Sequence, residues 1–240
     1  MTLDLLMSFL TLSMLEIVLG IDNLIFIALI CDNLPKEYRK RARLIGLALA
    51  FIIRIVMLMS LSWIMTLTEP VMTLAGTAFS VKDLLLLGGG LFLIAKATKE
   101  MHMDIGGIEE KKAMVVKSSF AGAIAQIVFV DFVFSFDSII TAVGLTNVIP
   151  VMVAAVVVAM LVMLLASAYV SEFLAKYPTF KMLALSFILM IGMVLTAEGM
   201  HIEMPKGYIY AAFAFSLFVE FLNTLASRKR KKHDQSSSDS

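Results

Sequence analysis

Four carboxylates stand where a strongly apolar chain should carry none. The run LEIVLGIDN places Glu16, Asp22 and Asn23 in the middle of one long apolar stretch, and VDFVFSFDS places Asp131, Asp137 and Ser138 in the middle of another. In each, a carboxylate is followed six residues later by an aspartate and then at once by a small polar side chain. A helix-weakening residue, Gly20 or Ser135, stands two places before that aspartate, and the copies are offset by 115 residues throughout. An acid at the centre of a bilayer costs about 2.5 to 3.5 kcal/mol on insertion scales, so it faces a cavity or a partner and marks function. Carboxylate and amide oxygens suit hard divalent cations such as Mn2+, Mg2+ and Ca2+. Cys31, His102, His201 and His233 fall at or beyond the ends of the apolar stretches, so a thiolate and imidazole site has no material. Asn23 and Ser138 add neutral oxygens, and Gln126, about one turn before Asp131, lines the same path.

On an ideal helix six residues correspond to about 600 degrees, which leaves the two acids of each motif about 120 degrees apart. Local unwinding near Gly20 or Ser135 would free backbone carbonyls and bring each pair together at mid-depth. The competing reading is helix-to-helix hydrogen bonding by protonated carboxyls, or pairing with Arg54, the one arginine deep in an apolar stretch. Arg54 then either neutralises an acid when no cation is bound or fixes the packing of its helix. Lys96 and Glu198 read as gate or path residues, or as boundary anchors, and Glu220 reads as structural. The eighteen methionines are scattered, which suits packing rather than soft-metal ligation. Gly88 to Gly90 offer a close helix contact or a break.

The elements that must position these residues follow from composition. The chain has 240 residues, 60% hydrophobic and only 16% charged, with a mean hydropathy of +0.93. A soluble domain needs about one quarter charged residues to cover its surface, so this is a membrane protein with the lipid bilayer as its partner and none from nucleic acid. Apolar stretches at about 5–30, 44–67, 83–98, 118–146, 148–172, 182–198 and 207–226 predict an all-α polytopic protein of seven transmembrane helices. No room remains for a soluble catalytic domain, and nothing supports an enzyme.

Basic residues alternate at every crossing. Lys36, Arg39, Lys40, Arg41 and Arg43, then Lys99, Lys111, Lys112 and Lys117, then Lys176 and Lys181, then Arg228 to Lys232, fall in every second connection. That bias puts the N-terminus outside and the C-terminus in the cytoplasm, as a multi-pass protein of the cell (inner) membrane. Asp4, Glu16 and Asp22 interrupt what would be a signal peptide, so the first segment is expected to stay attached. Residues 1–226 form the transmembrane domain, and 227–240 read as a disordered basic and Ser-rich tail. A second echo joins GLFLIAK, Gly90 to Lys96, to GMVLTAE, Gly192 to Glu198, at an offset of 102. Together the echoes predict a three-helix unit repeated in inverted orientation, repeat one at about 5–98 and repeat two at about 118–198, with a helix at 207–226 added. The four acids are expected to converge at its midplane.

LEIVLGIDN, LLLLGGGLFLIAKATKE and VDFVFSFDSIITAVG resemble the TerC family of bacterial integral membrane proteins, over residues 5 to about 226. The resemblance implies export of divalent metal, Mn2+ above others, with Glu16, Asp22, Asn23, Asp131, Asp137 and Ser138 as the metal site. The sequence carries no appended cytoplasmic domain such as longer relatives have, which leaves transport alone as the expectation. Exporting a divalent cation against a negative interior costs roughly 4.6 kcal/mol at 100 mV, at about 2.3 per charge. With no nucleotide-binding motif, exchange with protons at the same carboxylates is the expected coupling, and no cofactor is permanently bound. Two other readings stay open: export of a small organic cation or amino acid, with Phe132, Phe134 and Phe136 as its pocket, and a membrane partner that helps deliver metal to secreted proteins. Ligand types alone do not rank the divalent ions, and oligomeric state is left open.

Overall fold

The computed structural model describes residues 2–74, 76–105, 119–146, 148–202 and 204–238. The expected cytoplasmic Lys111, Lys112 and Lys117 lie outside them. Eight helices and one hairpin run in the order α1 (Thr2–Asp32), α2 (Lys36–Met59), α3 (Leu61–Thr66), β1 (Pro70–Leu74), β2 (Thr77–Ser80), α4 (Val81–Ile105), α5 (Phe120–Leu145), α6 (Ile149–Lys176), α7 (Pro178–Gly199) and α8 (Lys206–Ser238). Proline sets several starts: Pro35 caps α2, while Pro150 and Pro178 occupy the first turns of α6 and α7, where the missing N–H is no loss.

Six helices are long and apolar enough to cross a membrane among the described residues: α1 from Leu3, α2, α5, α6, α7 and the 207–226 part of α8. The third expected span, α4, is the exception, because Lys82, Asp83, Lys96, Lys99, Glu100 and Asp104 dilute its hydropathy. It is also longer than the expected 83–98, at 25 residues. Its N-terminus is closed by a capping box: the Asp83 N–H donates to Ser80 Oγ at 3.2 Å, and the Ser80 N–H donates to Asp83 Oδ2 at 2.8 Å.

Other boundaries differ from expectation for local reasons. The second helix starts at Lys36 rather than 44, since KEYRKRAR forms helix well although it is not apolar. It stops at Met59, and the remaining apolar residues form the short α3. The antiparallel hairpin of β1 and β2 was masked by its apolar surroundings; Gly76 supplies its turn with φ of +84°. The last helix continues through Ser238 where a disordered tail was expected from 227, its basic run being compatible with helix.

Packing rests on two long seams, α1 against α6 and α4 against α7, with α2 against α5 beside them. Between helices in lipid there is little hydrophobic drive, so close approach of small residues matters more. The glycine run provides it rather than a break: a Cβ on Gly89 would lie 2.5 Å from Val133 Cγ1, and one on Gly90 would meet Thr196 Oγ1 and lie 2.6 Å from Gly192 O. The seam is antiparallel, since Gly90 meets Gly192 and Thr196 while Asp83 and Leu87 meet Gly199. Both its ends are tied. At one, His201, in the left-handed conformation with φ of 63°, closes α7 as the Ile202 N–H donates to Ala197 O at 2.9 Å, and its Nε2 lies 3.0 Å from Asp83 Oδ2. At the other, Lys181 Nζ lies 3.2 Å from Asp32 and 3.1 Å from Asp104, and Arg39 reaches Asp32 at 2.6 Å.

A Cβ at Gly88 meets nothing within 4 Å. Gly88→Ala should therefore raise stability by about 0.5 to 1 kcal/mol through helix propensity. Gly90→Ala should lower the thermal unfolding midpoint in detergent despite the same gain, because backbone stands in the way.

Candidate cation site

Arg54 on α2 lies at the middle of the bundle, 3% exposed, and bridges the first acid of each motif. Its Nη1 donates to Glu16 Oε2 at 2.8 Å and its Nη2 to Asp131 Oδ1 at 3.1 Å. Asp131 accepts twice more, from Asn23 Nδ2 at 3.0 Å and from Ser135 Oγ at 3.2 Å. Ser138 donates to Ser135 O at 3.2 Å and stands near Glu16. Helices α1, α2 and α5 are thus joined through ions and amides that would be costly to bury singly.

The second acids take a different place. Asp22 and Asp137 line a cavity of about 20 Å3 together with Arg54, Ser138, Phe134 and Tyr210. That volume is enough for one water-sized guest. Tyr210, on α8, donates its hydroxyl to Asp22 Oδ2 at 3.0 Å. Asn23 Oδ1 is buried without a hydrogen-bond partner, an oxygen still available to a ligand. Four carboxylates against one guanidinium leave three formal negative charges in a low-dielectric interior, which favours a cation.

Several expectations need correction. No unwinding occurs at Gly20 or Ser135: α1 and α5 are helical throughout, and Gly20 packs against the flexible Met163 side chain, whose Sδ a Cβ would approach at 2.6 Å. The four acids do not form one ligand set, because Arg54 occupies Glu16 and Asp131. Among the described residues no group of three or more His, Cys, Asp and Glu side chains is arranged to hold a metal ion. Gln126 donates to Gly122 O at 3.1 Å on its own helix and is not on the cavity wall. Lys96 is likewise away from the cavity: it pairs with Glu100 at 2.7 Å, and Glu100 also accepts from Asn33 Nδ2 at 2.8 Å. Glu198 is half-buried and near enough to act electrostatically on Tyr210. Of the three phenylalanines only Phe134 reaches the cavity; Phe136 is 1% exposed in the core. Tyr210 went unnoticed in the sequence because tyrosine in an apolar span is ordinarily an interfacial anchor.

The fold and the buried charges together define a polytopic α-helical membrane protein with an ionic centre. The chain belongs to the TerC family of integral membrane proteins, whose model matches residues 1–235. It is 49% identical to the UPF0053 inner membrane protein YgdQ of Escherichia coli K12 over 219 residues, covering 91% of this chain and 92% of that one. It is 49% identical to the UPF0053 inner membrane protein YoaE of the same strain over 225 residues, covering 93% of this chain and 43% of that one. With the UPF0053 protein YegH of that strain it shares 46% over 223 residues, 92% of this chain and 42% of YegH. The chain thus spans under half the length of YoaE and YegH. No solved structure matches.

Arg54→Leu should strand two buried carboxylates and destabilise the protein by about 3 to 5 kcal/mol, read as thermal unfolding in detergent. Adding Glu16→Gln and Asp131→Asn to Arg54→Leu should restore most of the loss, since the charges are then removed together.

Proposed function

We propose that this protein exports a divalent metal cation, Mn2+ foremost, across the inner membrane by exchange with protons. The observation that carries the reading is that Asp22 and Asp137, equivalent acids of the two motifs, share the wall of one small cavity beside Arg54. A guest of water size favours an ion over an amino acid or organic cation. Ser138 supplies a neutral oxygen on the same wall, and a set this incomplete binds weakly enough to release its cargo on the far side. The resemblance to TerC proteins ranks Mn2+ first, and the inner-membrane placement of YgdQ and YoaE suits the charge alternation of this chain.

Seven crossings fit best. Although α4 is the least apolar, it follows α7 from the Asp83 and His201 pair at one end to the Asp104 and Lys181 pair at the other, and its 25 residues reach about 37 Å. Seven crossings would set the termini on opposite faces, and the basic connections support an outside N-terminus and a cytoplasmic C-terminus.

The packing supports an inverted repeat of α1, α2 and α4 with α5, α6 and α7. Exchanging the units turns the α1–α6 seam into α5–α2 and leaves α4–α7 unchanged, and all three seams exist. Contacts are reciprocal as a two-fold axis requires. A Cβ on Gly90 would meet Gly192 and Thr196, while one on Gly192 would meet Gly90 and Ile94, the positions related by the offset of 102. The Asn23 to Asp131 bond has its counterpart in Ser138 beside Glu16, at the offset of 115.

In this mechanism Arg54 holds Glu16 and Asp131 as a fixed ionic scaffold. Asp22 and Asp137 exchange the cation for protons, since protonation of either removes the charge that attracts metal. Vesicles containing the protein and loaded with Mn2+ should release it when a proton gradient is imposed. The Asp22→Asn plus Asp137→Asn protein should lose at least about tenfold in rate, as a charged ligand pair is removed. An unchanged rate in that variant would overturn the site assignment.

A further inference from the structure

Helix α8 is attached to the bundle in an unusual way. Its 207–226 part is only 6% buried, and it packs on α7. An aromatic cluster makes the contact: Phe213 stacks on Phe187 at 3.9 Å, and Tyr210 stands 6.1 Å from the same ring. Beyond that cluster, Tyr210 reaches through to the cavity and bonds Asp22, so a weakly held helix supplies part of the wall of the most charged region of the protein.

We infer that Tyr210 is a positioning residue that closes the cation site, and that loading of the site displaces its hydroxyl from Asp22 and loosens α8. The inference rests on the transport reading given above. While the phenol donates to Asp22 Oδ2, that oxygen is directed at a proton rather than into the cavity, and the ring forms the wall on the α8 side. A cation that takes Asp22 Oδ2 together with Asp137 meets an oxygen that already shares its lone pairs with the hydroxyl proton, so metal and phenol compete for it. The cavity has room for one water-sized guest, so an ion that keeps any of its hydration shell needs the Tyr210 wall to retreat. Little holds it back, because the 207–226 part of α8 is mostly exposed. Tyr210 therefore sets two properties at once: the availability of Asp22, and the size of hydrated ion that the site accepts.

The test uses the full-length protein in detergent, with equilibrium binding of Mn2+ to the wild type as its first measurement. No binding there would count against the transport reading itself. Given binding, Tyr210→Phe keeps the ring against Phe187 and removes only the competing hydroxyl. Its Mn2+ dissociation constant should fall roughly three- to tenfold, the range of one neutral hydrogen bond. In vesicles KM should fall alongside while kcat does not rise. An unchanged or weakened affinity in Tyr210→Phe overturns the proposal, since a merely structural tyrosine would give that result. A second arm does not depend on that variant. Cysteines placed by Phe187→Cys and Phe213→Cys can be joined by a short thiol cross-linker, with Cys31 buried and out of reach. Mn2+ should slow the cross-linking severalfold, and the joined protein should bind Mn2+ at least tenfold more weakly until reduced. Cross-linked protein that binds as well as reduced protein also overturns the proposal.

Discussion

Burying Arg54 is the constraint on which the rest of the molecule depends. A guanidinium 3% exposed among apolar helices is tolerable only because Glu16 and Asp131 meet it at hydrogen-bonding distance. That requirement fixes α1, α2 and α5 relative to one another more tightly than lipid-facing apolar surfaces could, since lipid offers those surfaces an equivalent environment. It also divides the acids by role. Once Glu16 and Asp131 are bound to Arg54, the acids six residues on are the pair left at the cavity, and the site inherits its geometry from an ion pair that itself lines only one edge.

The division separates a rigid ionic set from the acids at the cavity. Glu16, Arg54, Asp131, Asn23 and Ser135 form a connected set in which Asp131 accepts three bonds. Networks of that kind specify one arrangement because every alternative leaves a buried group unmet. Asp22 and Asp137 line a small cavity together with a tyrosine from the least buried of the candidate spans.

Much of this was legible in the sequence, and what was not has physical causes. The acid motifs stood out because a carboxylate in an apolar run is expensive, so Glu16, Asp22, Asp131 and Asp137 could be singled out by cost alone. Partner choice was harder. Spacing along one helix says which face a side chain takes, not which neighbour it meets, so convergence of all four acids and unwinding at Gly20 were both expected where Arg54 and Met163 decide otherwise. Gln126 and Lys96 carried polar groups at suggestive positions, yet each is satisfied within its own helix, as side chains able to reach back one turn often are. The hairpin of β1 and β2 was hidden by apolar surroundings. Tyr210 could be recognised only once α8 was set against α1, 188 residues away in sequence.

The charged helix α4 has a consequence for how the protein is made. A segment with Lys82, Asp83, Lys96, Lys99, Glu100 and Asp104 enters lipid poorly by its own hydropathy, yet most of its packing is against α7, which is synthesised after two further long helices. During translation α4 must therefore wait, partly seated, while α5 and α6 enter the membrane. The bonds that secure it, from Asp83 to His201 and from Asp104 to Lys181, come from residues at the two ends of α7. A ribosome stalled before residue 178 would therefore leave Asp83, Gly90 and Asp104 of α4 without the residues that meet them.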